Sequence, residues 1–143
     1  MYTYQYPRAA LTVDAIVLSK REKQTFVLLI ERGREPFLHK WALPGGFINM
    51  DETLEQACIR ELHEETGLKV GKMQQFRAYD AIDRDPRHRT ISVVFWVELK
   101  EPKHVQGSDD ASKAEWFPIS DLPELAFDHD KILMDFFAVH MKL

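Results

Sequence analysis

The sequence predicts an α/β fold with a mixed sheet lying between helices, and three observations carry that prediction. Short apolar runs rich in Val, Ile, Leu and Phe recur along the chain, separated by charged or Gly- and Pro-containing breaks. Two stretches, residues 53–66 and 128–141, have helix-forming composition without Gly or Pro, and they fall between and after the strands. The length of 143 residues, 45% of them hydrophobic, suffices for one compact domain and is too short for two ordinary ones, so residues 1–143 are read as one unit.

Each element has its own signal. Residues 10–18 form an aliphatic, β-branched strand, 19–24 a charged turn, and 25–31 a second strand. A loop containing Pro36 covers 33–40, and 41–47 is a short extended segment ending at Gly45 and Gly46. The helix over 53–66 has Asp51 or Thr53 as its N-cap and Gly67 as its C-terminal stop. Strands resume over 73–81 and 90–99 around a charged loop at 82–89, and after a further loop at 100–112 comes a short strand at 114–118. The terminal helix starts with Asp128 as N-cap and Phe127 placed for a hydrophobic staple. Repeats and low-complexity linkers are absent from the sequence.

Charge and cysteine usage narrow the function. A formal net charge of −4, from 23 acids against 19 Lys and Arg, provides no basic field for a nucleic acid polymer, but leaves room for a nucleotide-sized ligand. The single cysteine, Cys58, has no partner for an intrachain disulfide. The first apolar run lacks a basic leader and is broken by Asp14, so neither a signal peptide nor a membrane span is expected. These features point to a cytoplasmic protein; a homodimer stays open.

The first helix carries more acid than folding requires. At about 100° per residue, Glu61, Glu64 and Glu65 share one arc with Leu54, Ala57 and Cys58 in or beside it, so the acids point partly toward the protein. Carboxylates at these spacings repel one another, and a cation would remove that penalty. Oxygen-only ligands suit a hard ion, Mg²⁺ or Mn²⁺, rather than zinc. Gly45 and Gly46, after Pro44, allow main chain to approach such an ion closely.

Residues 46–68 read G-x5-E-x7-R-E-U-x-E-E-x-G-U, U being a bulky aliphatic, with every position filled: Gly46, Glu52, Arg60, Glu61, Leu62, Glu64, Glu65, Gly67 and Leu68. This stretch resembles the signature box of the Nudix hydrolases, which cleave a nucleoside diphosphate linked to another moiety with divalent metal. The resemblance implies an α/β/α sandwich, a main-chain oxygen at Gly45 as a metal ligand beside Glu61, Glu64 and Glu65, and an Arg60–Glu52 pair bracing the loop before the helix. The segments YPRAALTVDAIVL, ERGREPFLHKWALPGGF, DRDPRHRTIS and LAFDHDKIL resemble the ADP-ribose pyrophosphatase branch, and also the Nudix domain of regulators that sense ADP-ribose or sugars.

Outside the box, Glu115 in KAEWFP resembles a further ligand or catalytic base of the family; otherwise it is a surface acid opening a strand. Arg84, Arg87 and Arg89 could grip phosphate or a terminal ribose phosphate with guanidinium forks, or merely furnish a charged turn. Arg32 could add a phosphate contact, and Trp41, Phe37 and Tyr79 could stack on adenine unless they are core. His129 is placed near substrate by resemblance; otherwise it is an exposed histidine at the start of the terminal helix. The reaction expected is hydrolysis of ADP-ribose to AMP and ribose 5-phosphate, with Glu61, Glu65 or Glu115 taking the water proton. A nucleoside triphosphate pyrophosphohydrolase would use the same box. A non-catalytic sensor would be expected to lose box glutamates, all of which are present, and to carry a winged helix after the domain.

Overall fold

A computed structural model describes residues 1–108 and 110–141, which form seven strands and two α-helices. The strands are β1 (Ala10–Arg21), β2 (Gln24–Arg32), β3 (Trp41–Ala42), β4 (Gly45–Phe47), β5 (Gln74–Tyr79), β6 (Thr90–Leu99) and β7 (Ala111–Pro118). The helices are α1 (Leu54–Thr66) and α2 (His129–His140). None of the described helices is long and apolar enough to cross a membrane.

β1 and β2 run further into the expected turn than their charge suggested. Glu22 and Lys23 alone reverse the chain, with φ of 52° and 70°, as primed hairpin turns require. Beyond the hairpin the two strands part. β1 pairs with β6 in parallel along its length and takes β4 antiparallel at Thr12, Val13 and Asp14. β2 takes β3 at Ile30 and Glu31 on one edge and β7 on the other, and β5 closes the far side of β6. The expected single segment over 41–47 is therefore two short strands wedged between β1 and β2, with Leu43 and Pro44 spanning the gap.

The alternation of side chains along these strands fills two cores, one on each face of the sheet. Val13, Ala15, Leu28, Ile30, Val93 and Phe95 pack with Ala57, Cys58 and Leu62 of α1. Ile16, Leu18, Val27, Leu29 and Val94 pack with Ile132, Leu133, Phe136 and Phe137 of α2. The result is the α/β/α sandwich with a mixed sheet.

Both helix starts depart in detail from expectation. Of the two N-cap candidates for α1, Thr53 is used, in a capping box with Gln56, and Gly67 ends the helix at φ 78° with its N–H on the His63 carbonyl. Asp128 stands at the N-cap of α2 but makes no side-chain cap bond. Phe127 does not staple that helix: it packs with Phe37, on the α1 side of the sheet, whereas Ile132 belongs to the opposite core.

Candidate active site

Where β1 and β2 part, a cavity of about 260 Å³ opens on the α1 side of the sheet. Its acidic wall comes from α1. Glu65 is 5% exposed, and its carboxylate accepts the Gly45 N–H at 2.8 Å. Burial pushes the Glu65 pKa well above the ordinary carboxylate range; the Gly45 bond opposes the rise, while Glu61, Asp14 and Asp110 reinforce it. Glu61 lies against Gly46, where an added Cβ would stand 2.7 Å from its carboxyl carbon. The glycine is thus required for close approach.

Arg60 organises the outer side of this wall. Its guanidinium bonds Glu52 at 2.6 and 2.9 Å, Glu61 at 2.9 Å, Glu64 at 3.1 Å and the Phe47 carbonyl at 3.2 Å. The hydrogen bonds to Glu52 and Glu61 raise the arginine's pKa against the opposing effect of burial, and the bond from Arg60 lowers that of Glu52. Glu52 also accepts the Asn49 N–H at 2.8 Å, so the pair braces the loop before α1. Glu64 is the outermost of the box acids, outside the cavity lining, with a side chain 40% exposed.

The opposite wall is basic and aromatic. Arg32 and Arg87 place their guanidinium carbons 4.9 and 5.7 Å from the centre of the Phe127 ring, and Arg87 lies 5.5 Å from that of Phe47. Burial lowers the Arg32 pKa, and the neighbouring Arg87 adds to the effect. Asp85 orients Arg87 through bonds of 2.8 and 3.0 Å to its side chain and 2.9 Å to its N–H. Burial alone would raise the Asp85 pKa, but these bonds together bring it down to about 2. Phe127 holds φ at 52°, a strained value for a bulky residue and of the kind that gathers at functional sites. At the rim, Arg34 pairs with Asp110.

The other predicted substrate residues occupy different places. Arg84 lines the cavity, but its buried side chain is committed to Asp128 by bonds of 2.9 and 2.7 Å, which is why Asp128 cannot cap α2. Burial opposes the Arg84 charge, yet Asp128 raises its pKa above the ordinary value. His129 also borders the cavity while only 4% exposed, with Nδ1 accepting the Leu43 N–H. Arg89 lies outside the lining and binds the Asp80 carbonyl. Trp41, on β3, packs edge-on against Phe117 on the α2 side of the sheet, and Tyr79 donates its hydroxyl to Asp135 in that same layer. Neither meets the cavity.

Glu115 is displaced for a reason of register. β7 starts at Ala111, three residues earlier than expected, and Glu115 pairs directly opposite Leu29, whose side chain belongs to the α2-side core. It is exposed on the face away from α1. Conversely, Asp14, Asp85, Phe127 and Phe47 line the cavity without having been singled out as site residues. Asp14 had a signal: one acid inside the apolar run LTVDAIVL needs a buried partner, which Ser92 supplies at 2.5 Å.

Among the described residues, no group of three or more His, Cys, Asp or Glu side chains is arranged to hold a metal ion. The donors instead form an open, oxygen-only set, Glu61 and Glu65 in the cavity and Glu64 at its edge, with the Arg60 guanidinium holding Glu61 and Glu64. Mg²⁺ and Mn²⁺, which keep several waters and take few carboxylates, fit such a set.

Comparison with known proteins identifies the family. The NUDIX domain family model matches residues 9–136. The chain is 43% identical over 131 residues to an ADP-ribose pyrophosphatase of Methanocaldococcus jannaschii, covering 92% of this chain and 75% of that protein. It superimposes with a TM-score of 0.85, at 32% identity, on the NUDIX domain of Shewanella oneidensis NrtR complexed with ADP ribose, covering 92% of this chain and 88% of that one. A bifunctional NMN adenylyltransferase/ADP ribose pyrophosphatase from Francisella tularensis, complexed with AMP and a Mn ion, superimposes at 0.84 with 30% identity, covering 94% of this chain but 43% of that one. With the family model spanning both walls of the cavity, the chain belongs to the Nudix hydrolase family.

Proposed function

We propose that this Nudix pyrophosphatase hydrolyses ADP-ribose to AMP and ribose 5-phosphate, with Mg²⁺ or Mn²⁺ held by Glu61, Glu64, Glu65 and the Gly45 carbonyl. One observation carries the reading: a single cavity has carboxylates on one wall and two guanidiniums, Arg32 and Arg87, stacked on Phe127 on the other. The acidic wall suits a hard cation, and the basic wall suits the phosphate oxygens and the terminal ribose phosphate of the same substrate. The bound ion would neutralise the diphosphate and lower the pKa of the attacking water. Glu61 or Glu65 takes the proton from that water, since both face the cavity and Glu115 does not. Arg87, oriented by Asp85, holds the side of the substrate that leaves. The names of the similar M. jannaschii and F. tularensis proteins support the reaction class. Cys58, free and buried, suits a cytoplasmic setting.

A non-catalytic ADP-ribose sensor is the rival reading, prompted by the likeness to NrtR. The complete set of box acids and the intact Arg60–Glu52 brace favour catalysis. A substrate panel with Mg²⁺, read by released AMP, separates the readings. ADP-ribose is expected to exceed nucleoside triphosphates by at least about tenfold in kcat/KM, corresponding to ~1.4 kcal/mol of transition-state discrimination. An oxidised deoxyguanosine triphosphate as best substrate would replace the proposal, and tight ADP-ribose binding without turnover would install the sensor.

A further inference from the structure

His129 was expected near substrate and borders the cavity, with Nδ1 and Nε2 both facing protein atoms. Nδ1 accepts the main-chain N–H of Leu43 at 3.0 Å, across 86 residues of sequence. The neutral ring therefore carries its proton on Nε2, which faces Asp14 Oδ1 at 3.6 Å. Burial lowers the ring's pKa and favours this uncharged form. Asp14 is fixed in turn, its second oxygen accepting the Ser92 hydroxyl.

Leu43 begins the link that spans the gap between β3 and β4. Three bonds clamp the stretch from Leu43 through Pro44 to Gly45, one at each residue. His129 takes the Leu43 N–H, Ala15 donates its N–H to the Pro44 carbonyl at 2.8 Å, and the Gly45 N–H reaches Glu65 at 2.8 Å. Pro44 has no N–H, so the Leu43 amide is the nearest main-chain donor that can be gripped ahead of Gly45. Left without an acceptor in this buried place, that amide would drive the link to rearrange. Gly45 lies hard against β1, since a Cβ there would stand 2.1 Å from the Val13 carbonyl oxygen and 2.6 Å from Asp14 Oδ1.

We propose that His129 is a positioning residue: by accepting the Leu43 N–H it fixes the Leu43–Pro44–Gly45 link, and so sets the Gly45 main chain and the Glu65 carboxylate for the reaction. This assignment rests on reading the cavity as the active site. It also gives α2, on the far side of the sheet from α1, a hold on the acidic wall through the Leu43–Pro44–Gly45 link.

The test compares His129→Asn, whose amide oxygen can stand where Nδ1 does, with His129→Leu, which keeps bulk and loses the acceptor. Each variant is measured for melting temperature, kcat and KM with ADP-ribose, and affinity for Mn²⁺ alone by electron paramagnetic resonance. Changes behind a metal site typically cost about 10–100-fold in affinity or activity. His129→Leu should lose about that much in kcat and in Mn²⁺ affinity, with a smaller change in KM, and His129→Asn should recover most of both. Equal losses in the two variants would overturn the proposal, as would a folded His129→Leu protein with wild-type kcat and Mn²⁺ affinity. Should His129→Leu fail to fold, ¹⁵N spectra of the wild-type ring decide: a proton on Nε2 with Nδ1 bare supports the assignment, and the opposite tautomer refutes it. Absence of ADP-ribose turnover in the wild type would fail the proposed function instead, while the Mn²⁺ and tautomer measurements would still judge His129.

Discussion

Arg84 and Arg87 come from one loop and border one cavity, yet they are engaged in opposite ways. Arg84 is buried to 4% side-chain exposure and spends its fork on Asp128, whereas Arg87 keeps 35% exposure over Phe47 and Phe127. Arg84→Ala would leave the Asp128 charge partly buried without its partner, and is expected to cost about 3 kcal/mol or more of stability in denaturant unfolding. Arg87→Ala should leave the melting temperature nearly unchanged and lower kcat/KM for ADP-ribose by about 1.5–3 kcal/mol, the range for a lost charge-assisted hydrogen bond. Little loss on a nucleoside triphosphate would locate that contact at the terminal ribose. Asp85 adds a pH signature. Its carboxyl is held at about 2 in the folded protein against an ordinary value of 3.8, so its stabilisation is complete above the ordinary value and fades as pH falls through the folded one. Unfolding midpoints followed across that acid interval should show a shallower decline in Asp85→Asn than in wild type. An identical decline in both would dismiss the Asp85–Arg87 bond as a source of acid sensitivity.

The element that joins the two walls is β4 running into α1, and its tightest point is Gly46. Gly46→Ala forces a methyl against the Glu61 carboxylate, 2.7 Å from where the Cβ would be, at a φ outside the left-handed region, so the backbone itself tolerates the change. If Glu61 acts as proposed, displacing it by about an ångström costs on the order of a hundredfold in rate. Gly46→Ala should therefore lower kcat/KM by about that factor with only a small shift in melting temperature; wild-type activity would show that Glu61 has no exacting position to keep. Much of α1 was legible in sequence because its information is local: an N-cap at Asp51 or Thr53, the stop at Gly67 and the spacing of Glu61, Glu64 and Glu65 all belong to one helix, although the Gln56 half of the capping box went unread. Pairing was not legible. That β4 docks on Thr12–Asp14 while β3 docks on β2 depends on strands distant in sequence, and this splitting creates the cavity. Of the two readings of Glu115, the structure shows the exposed strand residue, paired with Leu29 on the face away from α1, and only the pairing of β7 with β2 reveals that face. Phe127 has the sequence context of a staple, yet it takes a positive φ and lines the cavity.

At the scale of the molecule, folding brings acids together that the open chain keeps apart. Glu61 and Glu65 from α1, Asp14 from β1 and Asp110 from the approach to β7 all line one cavity in a chain whose formal net charge is already −4. Arg60 compensates the outer acids, but Glu65 has only the Gly45 N–H as a direct hydrogen-bond donor among the described residues. A divalent cation that enters this cavity binds the folded state alone, and its binding must raise stability by mass action, by about 2.7 kcal/mol at a hundredfold excess over Kd. The melting temperature should thus climb with Mg²⁺ or Mn²⁺ concentration and fall back with chelator, with ADP-ribose hydrolysis lost and restored in step. Glu65→Gln separates this effect from general ionic stabilisation, because the amide oxygen can still accept the Gly45 N–H while the charge is gone. The metal-free variant should melt no lower than wild type, gain much less from Mg²⁺, and turn over slower by orders of magnitude. If Glu65→Gln instead gained as much from Mg²⁺ as wild type does, the ion would be binding elsewhere, and the acidic wall would have to serve the reaction as a base without a metal.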